Sequence, residues 1–143
     1  LTNTVDVIDL VLDVQSDPEV TLTLDLNSAL IFQNPSFEVG MFYSELLPPN
    51  YTLFMYKFKS DVTIQADRCD GFCITPATST TTLTILKNGL TAGTITYNAG
   101  QYEPIFDLTF TNYSNDDIIQ VISPQSPDET LAGVGLTISG IRI

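Results

Sequence analysis

The sequence predicts an all-β fold, an antiparallel β-sandwich of jelly-roll type with about eight or nine short strands. Three observations lead there. Apolar and polar residues alternate with period two from end to end, turn-forming residues separate the runs, and no run carries a convincing helical period. The composition agrees: 43% of residues are hydrophobic and 15% charged, so much of the polar surface comes from Thr, Ser, Asn and Gln. A chain of 143 residues suits one domain, or one domain with a short appended segment.

Ile8, Leu10, Leu12 and Val14 share a strand face, although Asp6, Asp9 and Asp13 would also line one side of a helix. The Val and Ile content favours the strand. Gln15 to Pro18 reads as a turn. Val20, Leu22, Leu24 and Leu26 then alternate with Thr21, Thr23 and Asp25 in a half-buried strand. Residues 27–50 look irregular, because Pro35, Gly40, Pro48 and Pro49 interrupt them. They read as a connection with at most one short strand, near Ile31.

From Tyr51 to Phe58 the chain is dense in aromatics, with Phe54, Tyr56 and Phe58 on one face. Residues 61–66 continue as a second strand or the far side of a bend. Residues 82–100 contain two strand-like runs around Asn88-Gly89, a pair suited to the two positive-φ positions of a type I′ hairpin turn. Phe106, Leu108 and Phe110 alternate with Asp107 and Thr109, Asn115 to Asp117 make a turn, and residues 118–122 form another strand. After a Pro-punctuated loop, Val134, Leu136 and Ile138 close the pattern. The domain boundary is placed at 50/51: residues 1–50 are N-terminal strands and a connection, part of the same unit or appended to it, and residues 51–143 are the sandwich.

The formal charge is −12, with five basic residues and no His. Such a surface repels phosphate backbones, so nucleic-acid partners are not expected. No apolar run reaches bilayer-spanning length, so membrane insertion is not expected either. The chain opens at Leu1 without Met, as expected of a processed product or a part of something longer.

The chemistry of catalysis is sparse. Without His there is no Ser–His or Cys–His nucleophile, and no Gly-rich phosphate loop precedes a helix. Paired carboxylates, about 5–10 Å apart in glycosidases, would occur by chance among so many acids. No enzyme activity, cofactor or metal is expected. Asp67 with Asp70, or Asp116 with Asp117, could offer oxygen ligands to Ca²⁺, but the spacing is not that of an EF-hand and Asn-Asp-Asp is an ordinary turn former. Cys69 and Cys73 could close a small disulfide loop or remain free thiols. Tyr102 and Tyr113 fall in turns or at strand ends, which makes them the better candidates for ligand contact among the tyrosines.

The hairpin TLTILKNGLTAGTITYNAG, the strand FDLTFTNYS and the closing run NDDIIQVISPQSPDETLAGVGLTISGIRI resemble, in order and punctuation, a C-terminal domain of tail-fibre and minor tail proteins of tailed bacteriophages. The resemblance rests on Lys87, Asn88, Gly89, Gly93, Gly100, Asp117, Pro124, Asp128, Thr130, Leu131 and Gly140, and covers about two thirds of the chain. The sequence departs from that pattern in the loop from Cys69 to Cys73 and at Asn115-Asp116. The resemblance implies a virion surface protein, homotrimeric, whose partners are other virion proteins and a host-surface glycan or protein. Two other readings accompany it: a capsid decoration or head-fibre protein bound to the viral shell, and a secreted carbohydrate-binding module.

Overall fold

A computed structural model describes residues 35–143, which lie within the compact unit Gln33–Ile143. The strands expected before Pro35 and the turn between them fall outside the described residues. Ten strands follow: β1 Ser36–Leu46, β2 Thr52–Lys57, β3 Val62–Ile64, β4 Asp70–Thr75, β5 Thr81–Lys87, β6 Leu90–Tyr97, β7 Ile105–Leu108, β8 Asn112–Tyr113, β9 Ile118–Ile122 and β10 Ala132–Arg142. One 3-10 turn, Ala66–Arg68, separates β3 from β4.

All pairings are antiparallel, in two sheets. Sheet A runs β1-β10-β3-β8, with β4 beside β3 along the same partner, and sheet B runs β2-β9-β5-β6-β7. The partners nest: β1 with β10, β2 with β9, β3 with β8, and β5 with β6 innermost. That nesting is a long double strand rolled up around its own hairpin, which is the jelly roll. The head of the roll is the turn at Asn88 (φ 51°) and Gly89 (φ 84°), both left-handed as the type I′ turn requires.

The strand β1 corrects the sequence reading of a connection. Pro35 and Pro48 lie outside it, and Phe37, Val39, Met41 and Tyr43 alternate inward across eleven residues paired to β10. A second correction is smaller: β7 ends at Leu108, so Phe110 lies beyond the strand and is 56% exposed.

The core is made where the inner faces meet. Phe37, Val62, Ile64, Val134 and Ile138 come from sheet A, and Leu83, Ile85, Ile95, Ile119 and Val121 from sheet B. Each fully buried aliphatic side chain contributes about 1.5–3 kcal/mol. Tyr97 is a large core residue with a polar tip to satisfy. It is fully buried, and its hydroxyl donates across to the Phe72 carbonyl at 2.9 Å.

The connections β2–β3, β5–β6 and β8–β9 turn at one end of the sandwich, called here the hairpin end. The connections β1–β2, β4–β5, β6–β7 and β9–β10 turn at the other, the loop end.

Candidate functional site

At the hairpin end the turns hold one another. The Asn88 side-chain amide donates to Asp117 Oδ1 at 2.7 Å, and Asn88 Oδ1 accepts the Ile118 N–H at 2.8 Å. Asp117 Oδ2 accepts the Ser114 N–H at 2.8 Å and pairs with Lys87 Nζ at 3.2 Å. The Ser114 N–H first, and the Asn88 amide next, hold the Asp117 carboxyl below the usual carboxylate range. Asp116 is held low in the same direction by Lys57, 3.0 Å away. These carboxylates therefore serve as turn acceptors and ion-pair partners. Nor does the loop at 67–71 gather ligands: Asp70 Oδ1 accepts the N–H of Gly71 at 2.7 Å, and among the described residues no group of three acids or thiols could hold a metal.

Tyr113 corrects the sequence reading as a ligand contact. Because β8 pairs with β3, its ring turns inward, stacks on Phe58 at 4.6 Å and is 2% exposed, with Lys87 Nζ 5.3 Å above it. Burial pushes its hydroxyl up to about 12. What this end displays instead is apolar. Leu90, 74% exposed, and Phe110 flank a cavity of about 240 Å³ floored by Lys87 and Asn88.

Of the two alternatives open to the cysteines, the structure has the free thiols. The chain is extended through Cys69 and along β4, and four such steps separate the two Cα atoms by roughly 13 Å. A disulfide needs about 4.4–6.8 Å. Cys69 Sγ donates to the Ser139 carbonyl and Cys73 Sγ to the Gln101 carbonyl, each at 3.6 Å. Burial pushes both thiols up, which keeps them protonated and slow to react.

The loop end is built around Asp128, 9% exposed and with no cationic partner among the described residues. One carboxylate oxygen accepts the Thr78 hydroxyl at 2.8 Å and the Ser79 N–H and hydroxyl at 2.9 Å. The other accepts the Thr130 hydroxyl, the Thr130 N–H at 2.8 Å and the Leu131 N–H at 3.2 Å. The Thr130 hydroxyl leads the set that holds this carboxyl far below the usual range. Asp128, Thr130 and Leu131 thus have a local chemical cause: Asp128 ties the β4–β5 and β9–β10 loops together while Leu131 plugs the core. Ser123 adds a second tie, accepting the Tyr51 N–H at 2.8 Å and donating to the Pro48 carbonyl. Between the β1–β2 and β9–β10 loops lies an open cleft of about 620 Å³.

Tyr102 sits at this end, 57% exposed, and its carbonyl accepts the Cys73 N–H at 2.8 Å. The fold therefore places Tyr102 and Tyr113 at opposite ends. A third feature, which strand-by-strand reading missed, covers the outer face of sheet A. Phe42 on β1 and Phe72 on β4 both flank Gly135 of β10, and their rings stack at 5.9 Å across it. A Cβ at 135 would overlap the Phe72 ring, so the stack in this form rests on the bare glycine. With Ile74, 64% exposed, they form an apolar plateau.

Comparisons with protein-family models, curated proteins and solved structures find no match for this chain.

Proposed function

We propose that this chain is a non-enzymatic structural domain of a virion surface, a tail fibre or spike, that displays rigid loops for host-surface recognition. The observation that carries this reading is the jelly roll's division of labour. The interior is filled, while the loops at both ends are locked by their own hydrogen bonds and leave Leu90, Phe110 and Tyr102 presented to solvent. The sequence resemblance to phage tail domains points the same way. A displayed loop held rigid in advance loses little conformational freedom on binding.

The reading includes a homotrimer, with the Phe42–Phe72–Ile74 plateau at the subunit seam. Copies of a chain with 17 acidic and five basic residues repel one another over most of their surface. A charge-poor apolar face is where they can approach. Light scattering at micromolar concentration is expected to give three times the mass of one chain, and a double F42S/F72S variant a single mass. A parent chain that stays monomeric defeats the trimer. Labelled protein is expected to be retained by host cells, and failure across a panel of hosts would sink the recognition role.

The acidic loop end favours a second reading, a decoration or head-fibre domain docked on a viral shell. Retention by empty capsids and not by cells would select it. A secreted carbohydrate-binding module draws less support, because the thiols are free and Tyr113 is buried.

A further inference from the structure

The cleft at the loop end points to a partner of definite chemistry. One loop supplies Leu46, Leu47 and Pro49, and the other supplies Gln125, Pro127 and Glu129. Leu46, 52% exposed, offers an apolar side chain to the cleft. Both sides are rigid. Asn50 N–H donates to the Pro124 carbonyl at 3.0 Å and Ser123 N–H to the Tyr51 carbonyl at 2.9 Å, while Asp128 anchors the far loop.

Charge selects the occupant. The four connections at this end carry Glu103, Asp128 and Glu129 and no Lys or Arg. Lys57, Lys87 and Arg142 all sit at the opposite end, where Lys57 and Lys87 pair with Asp116 and Asp117. The Asp128 carboxylate is consumed by its own loops, whereas Glu129 makes no ion pair among the described residues. We infer that this cleft seats a polypeptide segment of a partner protein in which Lys or Arg alternates with apolar residues. The methylene stems and apolar side chains lie on Leu46 and the prolines, and a cationic head reaches Glu129. The overall negative charge speeds the approach of such a segment.

The inference stands apart from the virion and trimer readings, since a lone chain would show it. Fluorescence anisotropy with the full chain and a fluorescein-labelled Lys-Leu-Lys-Leu-Lys peptide tests it. The peptide is expected to bind, and its Glu-Leu-Glu-Leu-Glu counterpart is not. The L46S and E129Q variants are each expected to weaken binding about fivefold. The D107N variant, which removes an equal charge from β7, is expected to bind as the parent does. Absence of binding overturns the inference. So does equal weakening by D107N and E129Q, which would reduce the effect to diffuse charge, or unchanged affinity in L46S.

Discussion

The two ends of this sandwich solve the same problem, satisfying acidic side chains in tight loops, by different means. At the hairpin end Asp116 and Asp117 face Lys57 and Lys87, and Asp117 accepts the Ser114 N–H of its own turn and the Asn88 side-chain amide of the neighbouring one. At the loop end Asp128 has no cation among the described residues and relies on hydroxyls and N–H groups from a loop about 50 residues earlier and from its own. The first arrangement tolerates exposure and links neighbouring turns through Asn88 and Asp117. The second gathers donors from two loops on one carboxylate, so losing it would remove their shared acceptor in a single step.

That contrast can be broken in order of expected size. The D128A variant should lower the thermal midpoint most, on the order of 10 °C, because two loops lose a common acceptor. A melt within a degree or two of the parent would show that the loops hold without it.

Acid is the next largest perturbation. Asp116, Asp117 and Asp128 all have folded-state values below the ordinary 3.8, so the unfolded chain takes up protons first as pH falls. Their stabilisation is present above about pH 4 and is lost below it. In D128A the acid limb of the stability profile should flatten. Tyr113 acts at the other extreme: its contribution is present below pH 10 and is lost as pH rises from 10 towards 12. Urea midpoints measured across both ranges would check the two limbs.

The hairpin turn should matter less. The G89A variant places a Cβ at a φ of +84° and should cost about 1 kcal/mol in urea unfolding. The smallest effect should come from K57A, since both partners of that ion pair are more than half exposed. No measurable midpoint shift is expected. A loss comparable to that of D128A would erase the distinction between the two ends.

Local preferences made much of the fold legible. Asn88-Gly89 announced its turn, and the alternations at 82–86, 118–122 and 134–138 became β5, β9 and β10. The strand β1 was obscured because prolines and Gly40 dominate its neighbourhood, although Phe37, Val39, Met41 and Tyr43 carry the period. Tyr113 was misread because a two-residue strand has too short a pattern to reveal which face it buries. The state of the cysteine pair stayed open in the sequence because a spacing of four is compatible with a loop, whereas pairing to β10 stretches the segment out.

By itself the sequence determined an antiparallel β architecture, the site of its central hairpin, and a chemistry without histidine. Those properties depend on residues near one another in the chain, or on composition alone. Tertiary structure alone decided that Phe42 meets Phe72 over Gly135, that Asp128 finds Thr78 and Ser79, and that the lysines of β2 and β5 lie at the end away from the cleft. Each of those depends on which distant strands become neighbours when the double strand rolls up, and a periodicity of two carries no information about partners.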